Sequence, residues 1–284
     1  MRFGLTAFCT AESLAPHELA PLVEEAGFHL LLFPDHTHVP VDRASRFPGG
    51  GDLPDHYRRT YDPLVCCALA AATTTELRVG VGVALVAVRD PIILAKEVAS
   101  IDQASRGRMM LGVGAGWNAA EIENHGVAAG DRWSLMREHV LAMKSIWADE
   151  VATFDGRHVR IAPLWSWPKP HQRPHPPIAV GGSGPGVLRR VLDYGDEWLA
   201  MAGPGAPAVS GRMRQLTEMA ERAGRARPAI AVQVYGDPPD EQVIERYIGV
   251  GVDRVDLTLP HADADATRRS VEALGEIIAR WSAA

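Results

Sequence analysis

The sequence predicts an α/β protein folded as one (β/α)8 barrel, a TIM barrel, over residues 1–284. Three observations predict it. Eight short apolar, strand-like runs recur along the chain, and amphipathic stretches of helical length follow them. Several of these runs are almost continuously apolar, as strands buried on both faces of a parallel sheet are. The length of 284 residues suits a fold that typically needs about 250. A doubly wound open sheet is the second choice, for which eight strands are many.

The elements follow in order. RFGLTAF (2–8) reads as the first strand, with Ser13 placed to cap the next helix. HLLLFP (29–34) is the second, stopped by Pro34. Residues 34–60 then form a long loop, and loops after barrel strands stand on the catalytic face. LRVGVGVAL (77–85) is the third strand; Asp90 and Pro91 supply an N-cap and a proline at the first helical position. RMMLGVGAG (108–116) is the fourth. Residues 149–176 form an excursion between the fourth and fifth strands, a hairpin signalled by Asp155-Gly156 and then a proline-rich track. PIAVGG (177–182) is the fifth strand, after which Ser183 and Pro185 open a helix. EWLAMA (197–202), AIAVQVY (229–235) and DRVDLTL (253–259) complete the set.

Composition narrows the function. Hydrophobic residues at 46% and charged residues at 23% are globular values and exclude disorder. A formal charge of −6 argues against a nucleic-acid partner. Cys9, Cys66 and Cys67 make neither a disulfide framework nor a zinc spacing. No signal peptide and no apolar run near ~20 residues is visible, so the expectation is a cytoplasmic protein with no membrane partner.

Four places carry chemistry. Asp35, His36 and His38 lie just past a strand end; a histidine beside an acid suits acid–base work near neutral pH. A His-x-His pair also raises a metal-dependent hydrolase. That reading needs more ligands, and only Asp256 and His261 offer them, so no metal is assigned. GVGAG (112–116) is not a dinucleotide fingerprint, because Trp117 replaces the third glycine. Its glycines either pack a helix against a strand or let a flat ligand lie on the backbone. GGSGPG (181–186), leading into a helix, fits a phosphate held by backbone N–H groups. Gly80 and Gly82 mark either a close backbone approach or a layer of small residues inside the barrel.

The ordered set Pro34-Asp35-His36, RMMLGVGAGW, the FDGRHVRI hairpin, PPIAVGGSGP and GDEWLA resembles the bacterial-luciferase-like superfamily over roughly residues 1–200. The resemblance is strongest to its coenzyme F420-dependent branch. It implies a homodimeric barrel that binds F420 or a flavin. It places Asp35 and His36 against the coenzyme ring and a cis peptide at Gly82-Val83 beneath it. It places the coenzyme phosphate at Val180, Gly181, Gly182, Ser183 and Gly184, with Gly114, Trp117 and Asn118 along the same cavity. The sugar-phosphate dehydrogenases of that branch keep a proton-donating Glu where this chain has Trp117. Their reaction is therefore not expected, and an aromatic wall for an apolar or planar substrate is.

These observations predict an F420-dependent oxidoreductase that moves a hydride between the deazaflavin and a small organic substrate, with His36 as the acid–base group and Asp35 beside it. The alternative is an FMN-dependent monooxygenase served by a flavin reductase. Arg43, Arg46, Arg58 and Arg59 in the long loop are candidates to meet the anionic tail of F420, which FMN lacks.

Overall fold

Eight parallel strands close into a barrel in the computed structural model, which describes residues 1–42, 44–202, 209–235 and 239–282. They are β1 (Arg2–Thr6), β2 (Leu30–Phe33), β3 (Arg78–Leu85), β4 (Met109–Gly114), β7 (Ile178–Gly181), β8 (Glu197–Ala202), β9 (Ala229–Val234) and β10 (Arg254–Thr258). β5 (Ala152–Asp155) and β6 (Arg160–Leu164) form the separate antiparallel hairpin. Its turn is held from outside: the Glu138 carboxylate accepts from the N–H groups of Arg157, His158 and Val159.

Helices return the chain between strands. They are α1 (Pro16–Glu25), α2 (Pro63–Ala72), α3 (Pro91–Ala104), α4 (Ala119–Asn124), α5 (Arg132–Ala148), α6 (Val187–Tyr194), α7 (Val209–Arg222), α8 (Glu241–Gly249) and α9 (Ala264–Ser282). Among the described residues no helix is long and apolar enough to cross a membrane. Asp62 and Asp90 cap α2 and α3 through their carboxylates, each followed by a proline. Ser13 does not cap α1. Its hydroxyl accepts from the Thr10 N–H, while α1 starts from Ala15, whose N–H donates to Glu18. A serine cap works only at the residue where the helix begins.

The main core fills the layer between strands and helices, with Phe3, Leu5, Leu31, Val79, Leu111 and Trp198 all fully buried. A second apolar cluster lies inside the barrel: Leu30, Leu32, Met110, Ala179, Leu199 and Ala231. Alternation along each strand puts Glu197, Arg254 and Asp256 on that inner face too. Arg254 donates to both Glu197 oxygens (2.9 and 2.7 Å) and both Asp256 oxygens (2.6 and 2.9 Å). Burial opposes its charge, but the two carboxylates outweigh it and hold Arg254 protonated. Asp256, one of the two residues that could have extended a metal site, is therefore committed to a buried ion pair.

Gly4 makes room for this knot. A Cβ there would stand 2.1 Å from Asp256 Oδ1. Gly4→Ala is accordingly expected to be strongly destabilising, because breaking a buried pair leaves a charge without a partner; about 3–5 kcal/mol is typical. Urea titration of the variant checks this, and a midpoint within error of wild type would refute it.

Candidate active site

The C-terminal ends of β2, β3 and β4 build one side of the barrel mouth. Asp35, one residue past the β2 stop, is buried. It accepts from the Leu85 N–H (2.9 Å) and from Arg89 through Nε and Nη2 (2.8 and 2.7 Å). Arg89 Nη2 also donates to Asp62 (2.9 Å). Burial disfavours the Arg89 charge, yet Asp35 and Asp62 together raise its pKa.

His36 follows directly. Its Nδ1 lies 3.0 and 3.2 Å from the Glu121 carboxylate oxygens, and Glu121 is 1% exposed. The acid that meets the imidazole is thus Glu121 of α4, while its sequence neighbour Asp35 serves Arg89. A carboxylate only accepts, so Nδ1 carries the proton and Nε2 is left to take one from a ligand. Glu121 is the site residue that sequence reading missed. Its one signal was a lone acid in the first turn after the glycine end of β4.

Aromatic rings surround this pair. Trp117 stands edge-on to His36 (6.2 Å) and to Phe47 (6.0 Å); Tyr57 packs on His36 (5.3 Å) and Phe47 (5.2 Å). Phe8 touches Tyr57 and His56, and His56 stacks on His261 at 4.9 Å. Trp117 thus packs with Phe47 and Tyr57 of the long loop around His36. Burial pushes the Tyr57 hydroxyl up to about 12. His38 belongs to another cluster, accepting from Asn124 and bonding Thr37, which also reaches His125. Among the described residues no three His, Cys, Asp or Glu side chains gather as metal ligands.

The Gly82–Val83 peptide is cis, and pairing with β4 slips between Val81 and Ala84. A Cβ on Gly82 would stand 3.1 Å from Leu32 and one on Gly80 2.7 Å from the Met110 carbonyl oxygen, so Gly80 marks a close backbone approach. Cβ atoms on Gly112, Gly114 and Gly181 would meet Val83 at 3.2, 2.5 and 2.7 Å. The space above Gly114 and Gly181 is therefore filled by Val83, where an open backbone for a ligand was one expectation. Asn118 caps α4 without using its side chain, is 1% exposed, and has neither amide atom hydrogen bonded. Such a group is costly unless something satisfies it.

Val180 is fully buried at the end of β7, and the glycine loop follows it. Gly182 (φ +115°) and Gly184 have open space where a Cβ would stand. Ser183 and Pro185 do not start the next helix. Gly186, left-handed at φ 79°, is the N-cap, and the Ser183 hydroxyl bonds the Met201 backbone. A recess of about 420 Å3 opens beside the loop, walled by Trp133, Pro185 and Arg190. Two of the loop arginines are paired, Arg58 with Asp55 and Arg59 with Glu12 and Asp55, whereas Arg46 is in no ion pair among the described residues. Arg43 lies outside the described residues.

Residues 11–282 match the model of the luciferase-like monooxygenase family. The chain is 37% identical to the uncharacterized protein Rv0953c of Mycobacterium tuberculosis, over 98% of this chain and 99% of that protein. It is 27% identical to an F420-dependent glucose-6-phosphate dehydrogenase of Kineococcus radiotolerans (78% of this chain, 63% of that protein). It is also 27% identical to an FMNH(2)-dependent dimethylsulfone monooxygenase of Pseudomonas putida (74% and 54%). Among solved structures, the monooxygenase RslO1 of Streptomyces bottropensis superposes with a TM-score of 0.80 at 20% identity, covering 99% of both chains. An F420-dependent secondary alcohol dehydrogenase superposes at 0.77 and 18%, covering 98% of this chain and 99% of that one.

A pH dependence follows from the histidines. Burial and the neighbouring His261 lower the His56 pKa from 6.5 to about 4; burial, then Arg2, Arg78 and Arg254, do the same to His29. Both are neutral in the fold and protonate more readily when unfolded. The unfolded state then binds more protons, so stability is full above about 6.5 and falls as pH drops toward about 4. Thermal melts from pH 7 to 4 are expected to show the loss, and His56→Gln with His29→Gln to flatten it. An unchanged slope in the double variant counts against this assignment.

Proposed function

The chain belongs to the luciferase-like monooxygenase family, and on that premise we propose an oxidoreductase that uses coenzyme F420 to move a hydride to or from a small apolar or planar organic substrate. The observation that carries the chemistry is His36 held by the buried Glu121 inside an aromatic mouth. The residues present fit such a coenzyme. The unpartnered Asn118 amide suits a ring with carbonyl and N–H groups, and Gly182 and Gly184 leave the loop backbone open to a phosphate. When bound, the coenzyme would supply the hydride-carrying ring.

The chain's own part is to bind, orient and manage a proton. Glu121 fixes the imidazole ring with Nδ1 toward its carboxylate, as the buried acid of a catalytic triad orients its histidine. Nε2 then takes a proton from a substrate alcohol as it is oxidised, or returns one to a carbonyl as it is reduced. Trp117, Phe47 and Tyr57 offer flat apolar faces and keep water from the reacting oxygen. Arg89 keeps Asp35 from competing for the imidazole, so Asp35 acts as a positioning residue. A second reading is FMN-dependent oxygenation with a partner reductase. The pairing of Arg58 and Arg59 with acids favours keeping it, since those cations no longer speak for F420.

We take the working unit to be a homodimer in a reducing compartment such as the cytoplasm. The three buried cysteines are free. Val65 and Leu69 of α2 and Ile92 and Ile93 of α3 are exposed on neighbouring helices, an apolar face suited to a second copy. Ile93→Glu with Val65→Glu is expected to halve the mass found by light scattering, and an unchanged mass would exclude this face.

Coenzyme titration tests the main proposal. F420 is expected to bind more tightly than FMN, and FMN binding with none for F420 overturns the choice. With F420 and a panel of apolar secondary alcohols, or reduced F420 and the matching ketones, His36→Ala is expected to lower turnover by about 10²–10⁴-fold. Coenzyme affinity should change far less, and His38→Ala should change neither. Equal losses in both variants, restored by added zinc, would point to a metal hydrolase.

A further inference from the structure

Arg190 and Arg212 reach the glycine loop and Arg132 shares Trp133 with Arg190, none of them paired with an acid among the described residues. Arg190 of α6 stands over the Trp133 indole, its Cζ 3.8 Å from the ring centroid, and Arg132 approaches the same ring at 5.6 Å. Arg212 of α7 reaches the loop itself and donates to the Ser183 carbonyl. The other bonds these guanidinium groups make go to backbone carbonyls, of Pro185 for Arg190 and of Ala129 for Arg132. No ion pair joins any of the three to a carboxylate among the described residues. Arg58, Arg59, Arg89, Arg137 and Arg254 all have such a partner.

Two further facts make the cluster unusual. The Nε atoms of both Arg132 and Arg190 are buried without an acceptor. One turn along α6 from Arg190, the hydroxyl of Tyr194, a residue 2% exposed, is also unpartnered. Burial lowers the Arg190 pKa, the direction expected of a cation removed from water without a counter-charge. Gathering like charges and leaving buried donors unmet is unfavourable unless an anion completes the arrangement. Arg190 and Trp133 line the recess of about 420 Å3 together with Gly181, Gly182 and Gly184.

We propose that Arg190, backed by Trp133 and flanked by Arg132 and Arg212, is the anion-holding wall for the phosphorylated, multiply charged tail of the coenzyme. This rests on the coenzyme reading of the glycine loop. The loop backbone takes one phosphate through neutral N–H groups; the guanidinium groups take charge beyond it. A planar fork held over an indole is fixed in direction, so it loses little freedom when it grips an oxyanion. A tail with several negative groups gains more here than a single phosphate does. The wall thereby favours F420 over FMN in a way the ring site does not.

Calorimetry on the full-length apoprotein decides this, with F420, FMN, riboflavin and inorganic pyrophosphate as probes at two salt concentrations. Arg190→Met keeps an apolar stem against Trp133 and removes the charge. It is expected to weaken F420 by about 10–100-fold, the scale of one or two lost charge-assisted hydrogen bonds. FMN should lose less, and riboflavin, which has no phosphate, nothing. Arg132→Met and Arg212→Met should each weaken F420 and flatten its salt dependence. Circular dichroism melts of each variant separate these effects from misfolding. Unchanged F420 and FMN affinities in all three folded variants overturn the wall, even if F420 proves to be the coenzyme. So does a wild-type protein that binds none of F420, FMN and pyrophosphate. If FMN binds, F420 does not, and Arg190→Met weakens FMN but not riboflavin, Arg190 holds a single phosphate, and both the tail wall and the F420 reading fall.

Discussion

One shared guanidinium sets the geometry of the barrel mouth. Arg89 bridges Asp35, at the end of β2, and Asp62, the N-cap of α2, while Asp35 also receives the Leu85 N–H from the end of β3. The Leu85 N–H and Arg89 both donate to the buried Asp35 carboxylate, and Arg89 carries the tie on to Asp62. A buried carboxylate is tolerable only when its charge is met, so this arrangement has few alternatives. His36 is the next residue. With the backbone at 35 fixed, its ring has a narrow range of directions, and Glu121 selects one of them. The aromatic residues around it then pack against a ring whose place electrostatics has already decided.

The strands were legible because what identifies them is local. A run such as LRVGVGVAL carries its burial in its own composition, and the eight barrel strands fall where such runs do. The hairpin at Asp155-Gly156 was legible for the same reason. The partner of His36 was not. Glu121 sits in AAEIEN, where Glu123 looks just as suitable for burial, and what buries Glu121 is a histidine 85 positions earlier. Caps failed for a related reason. Ser13 and Ser183 are good capping residues, but α1 and α6 begin at Ala15 and Gly186, and the two hydroxyls bond neighbouring backbone. Arg59 looked free in the sequence because Glu12 lies on another loop, whereas the partner of Arg58, Asp55, is local.

The glycines show how a correct position can have a different physical cause. Gly112 and Gly114 lie on β4 and Gly181 ends β7, all facing the same point. A Cβ on Gly114 or Gly181 would crowd one side chain, Val83, and one on Gly112 would meet the Val81 carbonyl oxygen before it. The protein fills the space that these glycines vacate with its own aliphatic residue, which then forms part of the floor of the mouth. Only Gly182 and Gly184, past the strand end, keep open space above the backbone. Glycines inside a strand and glycines after it thus do different work, and position relative to the strand end separates them.

The inner face of the barrel changes character along its axis. Arg254, Glu197 and Asp256 form a charged base; Leu30, Met110, Leu199 and Ala231 form an apolar middle; Val83 and the glycine ends lead into the mouth. The two lower layers serve the fold, so proteins with different chemistry can share them. That is why relatives that name F420 and relatives that name FMN match the same chain. A flavin and a deazaflavin have similar flat rings, and an apolar floor with one amide beside it distinguishes them weakly. Discrimination has to come from parts of the ligand that differ, which lie away from the ring. In this chain the unbalanced charge stands there, on Arg190, Arg132 and Arg212 around the glycine loop. On the reading proposed above, the choice of coenzyme would be separated in space from proton chemistry at His36, so that each could vary without disturbing the other.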